Sequence, residues 1–147
     1  MNPPGKKNIL VIEDNPLNLE LVTDLLEAAG FAVTPARTAE EGIRLAGDLL
    51  PDLVLMDWSL PGMDGLAATR ILKGDSRTSG LTILALTAHA MKGDEAVALA
   101  AGCDGYLTKP IDTRTFARRI AQFMELNRPG DAEAGAGLHP YGNRTAG

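Results

Sequence analysis

Lys7-Asn8-Ile9-Leu10-Val11-Ile12-Glu13-Asp14-Asn15-Pro16 is the stretch that decides the fold. A short β-branched run meets two acids. Asn15-Pro16 then reads as a helix N-cap with proline at the first helical position, where its missing N–H costs nothing. A strand therefore hands over directly to a helix, and outward from that junction the pattern alternates. Leu17, Leu21, Leu25 and Leu26 carry the apolar stripe of a first helix that stops at Gly30. Phe31 to Ala36 reads as a second strand. Thr38 with Glu41 is a capping box that opens a second helix to about Leu49. Asp52 to Met56 is a third strand ending at Asp57, and the loop Trp58 to Gly62 leads into a helix from about Asp64 to Lys73. A fourth strand, Leu81 to Leu86, is followed by a helix from about Met91 to Ala101 that ends at Gly102. Asp104 to Thr108 is the fifth strand, and the last helix runs from Asp112 to about Leu126. The first, third and fourth strands are apolar nearly throughout, as strands covered on both faces must be. Five such strands alternating with five helices predict a doubly wound parallel α/β sheet with right-handed crossovers.

Composition fits one such domain. The chain has 147 residues, 45% hydrophobic and 22% charged, which excludes a wholly disordered, collagenous or coiled-coil protein. A net charge of −5 gives no global positive field toward nucleic acid or an anionic membrane. One cysteine, Cys103, excludes a disulfide framework and a multi-cysteine metal site. The apolar run behind the charged N-terminus is too short for a signal peptide or a membrane span, so a soluble cytoplasmic protein is expected. The domain is expected over residues 1–127. From Arg128 onward, 11 of 20 residues are Gly, Pro or Ala, with only Leu138 and Tyr141 large and apolar. Such a segment buries too little surface to offset its ordering entropy, and 128–147 reads as a flexible tail.

In an open α/β sheet, functional groups gather at the carboxyl ends of the strands. Those ends carry Glu13-Asp14, Asp57, Thr87 and Lys109. Any one acid has a plain structural use, Asp14 as a cap or Asp57 in a turn, but coincidence at four strand ends asks for more. Two carboxylates about 4 Å apart repel by roughly 4 kcal/mol at an effective dielectric near 20, so either a proton is held or a cation is bound. An all-oxygen acidic set suits a hard cation, Mg²⁺ or Mn²⁺. Thr87 and Lys109 add the hydroxyl donor and the ammonium that a phosphoryl group needs, and an aspartate can itself form an acyl phosphate. Composition and placement suggest metal-assisted phosphoryl transfer onto an aspartate.

The chain resembles the receiver domain of bacterial two-component response regulators, of the chemotaxis-regulator type. The matching residues are Val11-Ile12-Glu13-Asp14-Asn15, Asp52-Leu53-Val54-Leu55-Met56-Asp57, Leu60-Pro61-Gly62-Met63-Asp64-Gly65, Leu86-Thr87-Ala88 and Gly105-Tyr106-Leu107-Thr108-Lys109-Pro110. They run in order over about residues 7 to 126. The resemblance implies a flavodoxin-like sheet of order 2-1-3-4-5. It implies Asp57 as phospho-acceptor, Asp14 as direct Mg²⁺ ligand, Glu13 acting through metal-bound water, and the Ser59 backbone carbonyl as a further ligand. It implies Thr87 as the switch hydroxyl, Lys109 as the phosphoryl partner, Tyr106 as the aromatic switch and a cis bond before Pro110. Ser59 and His89 match the positions that tune dephosphorylation. Implied partners are a sensor histidine kinase or a histidine phosphotransferase and a downstream protein that reads the helix 4–strand 5–helix 5 face, with the chain a monomer or weak homodimer. No output domain signature follows Leu126. The segment Thr87 to Glu95 and the ending Gly102-Cys103-Asp104-Gly105-Tyr106 resemble stand-alone regulators of cell-division and polarity kinases.

The alternatives separate on residues. A receiver detached from a hybrid histidine kinase shares such sequences but is disfavoured by the start Met1-Asn2-Pro3-Pro4. A haloacid-dehalogenase-like phosphatase needs Asp-x-Asp after its first strand, where this chain has Glu13-Asp14-Asn15-Pro16. A flavin-binding module needs a neutral phosphate cradle there. A docking-only pseudo-receiver is at odds with intact Asp57, Thr87 and Lys109. Of the single residues, Trp58 reads as a site-edge shield or a docking group and Cys103 as a small buried thiol. Met63 and Met91 read as packing, and His139 as idle.

Overall fold

The computed structural model describes residues 6–58, 65–87 and 92–126. The chain alternates β1 (Asn8–Ile12), α1 (Pro16–Ala28), β2 (Ala32–Ala36), α2 (Ala39–Leu49), β3 (Leu53–Asp57), α3 (Gly65–Gly74), β4 (Ile83–Thr87), α4 (Lys92–Ala101), β5 (Gly105–Thr108) and α5 (Phe116–Leu126). The strands form one parallel sheet of order β2-β1-β3-β4-β5, the doubly wound order expected. None of the described helices is long and apolar enough to cross a membrane.

Period-two alternation sends successive residues of each strand to opposite faces, so a strand covered on both faces must be apolar at every position. β1, β3 and β4 are buried along their whole length. Leu10, Ile12, Val54, Met56, Ile83 and Ala85 face α2, α3 and α4, meeting Ala46, Ala68, Leu72 and Ala98. Ile9, Val11, Leu53, Leu55, Leu84 and Leu86 face α1 and α5, meeting Val22, Leu26, Phe116, Ile120 and Phe123.

Caps fix where the helices begin. Asn15 Oδ1 accepts the Leu17 and Asn18 amides at 2.9 and 3.1 Å ahead of Pro16. Thr38 Oγ1 accepts the Glu41 amide at 3.1 Å while the Glu41 carboxylate takes the Arg37 amide at 3.0 Å. α1 closes at Gly30 with φ 98°, the Phe31 amide returning to the Leu26 carbonyl.

Several boundaries differ from the sequence expectation. Leu17 and Leu21 are 76% and 39% exposed; of the expected stripe α1 buries Leu26, joined by Val22, with Leu25 and Leu19 packed partly beneath. α5 begins at Phe116, not Asp112. The Asp112 carboxylate takes the Arg114 amide and its carbonyl takes the Thr115 and Phe116 amides, so a turn precedes the helix. β2 starts at Ala32 because the Phe31 amide closes α1. β4 starts at Ile83 because Leu81 is engaged in a turn with Thr78, and its carbonyl accepts from Lys73 Nζ at 2.7 Å. The expected tail at 128–147, and Met63, Met91 and His139, lie outside the described residues.

Candidate metal and phosphoryl centre

Parallel strands place all their carboxyl ends on one rim, and the chain puts its acids there. Asp57 is the last residue of β3, Glu13 and Asp14 follow β1, Thr87 ends β4, and Lys109 follows β5. Glu13, Asp57 and Thr87 are each no more than 3% exposed. One carboxylate oxygen from each of Glu13, Asp14 and Asp57 lies within 4.8 Å of the others. Lys109 Nζ donates to Asp57 Oδ1 at 3.2 Å and sits 3.4 Å from Glu13 Oε1. The Lys109–Pro110 peptide is cis, and the Lys109 amide donates to the Thr87 carbonyl at 2.7 Å, tying the β4 and β5 ends together. Thr87 stands one register position beyond Asp57 on the neighbouring strand, since Asp57 pairs with Leu86. Tyr106 pairs with Ala85 on β5, half-buried against both core layers.

The electrostatics are those of crowded carboxylates. Burial raises Glu13 to about 7, helped by the hydrogen bond it shares with Asp57 and the Asp57 charge. The Asn15 amide, which donates to Glu13 Oε2 at 3.1 Å, and the Lys109 charge offset part of this. In its ionised form Glu13 Oε1 is a buried acceptor that receives no hydrogen bond among the described residues, with Lys109 Nζ 3.4 Å away. A buried, unsatisfied acceptor beside two more carboxylates fits a hard divalent cation, with Glu13, Asp14 and Asp57 as the oxygen donors.

Ser59 and His89 lie outside the described residues. Trp58 is half-buried against the layer that faces α3, its backbone amide donating to the Leu86 carbonyl at 3.0 Å. That position fits a shield at the site edge. Cys103 is a buried thiol pushed up to about 11 by burial, 3.8 Å from Thr69 Oγ1.

One residue escaped the sequence reading, and another was named there only as part of a motif. Arg37 Nη2 donates to the Asp14 carbonyl at 3.4 Å, a cation on the acidic rim. The signal was its place just after β2, which the topology sends to the same edge. Gly65 opens α3 against the Asp57 carbonyl and the Trp58 indole, and a Cβ there would lie 2.7 Å from both. Its place in the Asp64-Gly65 pair was visible; the close approach was not.

Residues 9–121 match the family described as response regulator receiver domain. The chain is 40% identical over 118 residues to the polar-differentiation response regulator DivK of Brucella ovis and to that of Brucella abortus, covering 80% of this chain and 96% of theirs. It is similar in structure to the receiver domain of the sensor histidine kinase PA1611 from Pseudomonas aeruginosa, which has a magnesium ion in its active-site cleft. That match has a TM-score of 0.75 at 33% identity over 82% of this chain and 99% of that one. The chemotaxis response regulator CheY4 of Vibrio cholerae shares the fold, with a TM-score of 0.76 at 23% identity over 80% and 98%. The motif order, the 2-1-3-4-5 sheet and the acids on its carboxyl rim thus converge, and this chain belongs to the response regulator receiver domain family.

Proposed function

We propose that the chain is a single-domain response regulator that accepts a phosphoryl group on Asp57 from a phosphohistidine. The observation that carries this reading is the Asp57 carboxylate held 3.2 Å from Lys109 Nζ inside a triad of carboxylates. An Asp57 oxygen attacks phosphorus, an O–P bond forms and the N–P bond breaks. Its electron pair returns to the donor imidazole, which takes up a proton. Lys109 balances charge on the phosphoryl oxygens, and the Thr87 hydroxyl donates to one of them. Mg²⁺, or Mn²⁺, bound by Glu13, Asp14 and Asp57 and the Ser59 carbonyl, would neutralise charge developing on the phosphoryl group. Ser59 and His89 tune hydrolysis of the product. The Thr87 movement draws Tyr106 inward and alters the α4–β5–α5 face for a downstream protein. No separate enzymatic activity is assigned, and the cytoplasm and a monomer or weak homodimer are the expected setting.

The donor, a sensor histidine kinase or a histidine phosphotransferase, docks over Leu17 and Leu21. A cleft of about 500 Å³ beside Lys109, lined by Asn18, Leu21, Pro110 and Ile111, adjoins this exposed apolar side of α1. The stand-alone reading draws support from DivK, 96% of whose length is matched. The likeness to the PA1611 receiver keeps a hybrid-kinase origin as the second reading. Intact mass after incubation with acetyl phosphate and Mg²⁺, beside Asp57→Asn, tests the chemistry. One added phosphoryl group, lost in the variant and without metal, is expected. No gain from either acetyl phosphate or a phosphorylated histidine phosphotransferase refutes the reading and leaves a docking-only protein.

A further inference from the structure

The rim opposite Asp57, where the strands begin, carries a cleft of about 320 Å³ that the phosphoryl chemistry does not use. Phe31, Pro51 and Leu81, which precede β2, β3 and β4, line it together with Ala121 and Met124 of α5. Two exposed leucines directly precede its Pro51, and Lys7, Asp52 and Glu125 add charge to its edge. Leu49 and Leu50 are 45% and 55% exposed, and neither belongs to the two core layers. Leu50 also closes α2 with φ 48° and ψ 63°. That left-handed conformation is easy for glycine and unfavourable for a residue with a Cβ, so a leucine there is backbone strain without an internal packing return. It immediately precedes Pro51 of the cleft.

The chain itself leads to this place. α5 ends at Leu126, directly after the cleft-lining Met124 and Glu125, so residues 127–147 begin at the rim. Within them Leu138 and Tyr141 are the only large apolar side chains, flanking His139-Pro140. The residues between are rich in Gly and Ala, and ten residues of such composition span an r.m.s. distance of about 20 Å, well beyond one helical turn. Groups tethered so closely meet at an effective concentration on the order of millimolar, so weak intrinsic affinity suffices.

We propose that segment 138–141 docks in cis into this cleft, placing Leu138 and Tyr141 against Phe31, Leu81 and Met124, with 128–137 as the tether. Docking braces the end of α5 against the starts of three strands. It also covers apolar surface on the side of the sheet away from Asp57, so the phosphoryl site stays open. The inference does not depend on the phosphoryl chemistry.

Amide ¹H–¹⁵N spectra of the full chain, wild type and the double variant Leu138→Ala/Tyr141→Ala, test it at two protein concentrations tenfold apart. Expected are shifts at Phe31, Leu81, Thr82, Ala121 and Met124, with Glu13, Asp57 and Lys109 unmoved as the control that the domain is intact. Amide exchange at 121–125 should quicken several-fold in the variant. Identical cleft amides in the two proteins overturn the proposal. Wild-type cleft amides that move toward the variant's on dilution overturn it too, because the occupant is then the tail of a second copy.

Discussion

Replacing Glu13 with glutamine removes a carboxylate that the fold buries beside two others. Burial, first, and then its hydrogen bond to Asp57 raise Glu13 from 4.5 to about 7. In the unfolded chain the group has lost its proton by the time pH exceeds about 4.5, whereas in the folded chain it keeps the proton until about 7. Between those values the folded state binds more protons, so metal-free stability falls as pH rises through the window and the full penalty is felt above 7. The shift is about 2.5 pH units, which at 1.36 kcal/mol per unit sets a ceiling of about 3 kcal/mol. For a domain of this size that corresponds to roughly 10 °C in Tm. The glutamine amide preserves the shape, still offers an oxygen to the Asn15 amide, and donates to Asp57 as the protonated acid does. The assay is thermal unfolding from about pH 5 to pH 8 in chelator and in excess Mg²⁺, read as wild type minus variant so that other titrating groups cancel. Without metal the wild type should lose ground steadily to Glu13→Gln as pH rises. Mg²⁺ taken up by the ionised carboxylates would be expected to restore most of that loss to the wild type and little to the variant. Parallel Tm curves for the two proteins in chelator would refute the reasoning, because Glu13 would then titrate as an exposed acid.

Three further substitutions probe other joints. Gly65→Ala pushes a methyl to 2.7 Å from the Asp57 carbonyl and the Trp58 indole; unfolding in urea should show a loss of about 1–3 kcal/mol, with shifted Trp58 emission. Asp104 accepts the Ile83 amide at 2.8 Å and pairs with Lys73 at 3.3 Å, anchoring the start of β4 to the start of β5. Asp104→Asn should cost about 2 kcal/mol in the same urea assay, and a change under a few tenths would show that anchor to be dispensable. Leu17→Lys lies on a side chain 76% exposed, so stability should move by less than about 0.5 kcal/mol. Phosphotransfer from a histidine phosphotransferase should slow in this variant while acetyl phosphate still reacts normally, and equal transfer rates remove α1 from the docking surface.

What the sequence could and could not reveal follows from which forces are local. β1, β3 and β4 were legible because a doubly covered strand has to be apolar at every residue, and capping chemistry set the starts of α1 and α2. α1 misled because it carries two leucine-rich stripes. At about 100° per residue, Leu17 and Leu21 sit roughly 100–180° around the helix from Val22 and Leu26, the seam that the core selects. Propensity cannot choose between such stripes; packing against β1 and α5 does, and the rejected stripe stays exposed beside the site. The start of α5 was misplaced for a different reason, the Asp112 side chain competing for the backbone donors that a helix would use.

At the site, residue types and positions were readable from spacing, but Glu13's raised proton affinity was not, since it comes from enclosure by residues distant in sequence. That enclosure has a consequence for design. A fold selected for stability alone would place a neutral side chain at Glu13, where no cation is needed to relieve the repulsion from Asp57. A charge kept there, with Oε1 buried and lacking a hydrogen bond, makes the metal-free protein the less stable form. Stability lost by the ionised, metal-free site would reappear as affinity for a cation bound there, which would couple cation binding to the ionised state of Glu13.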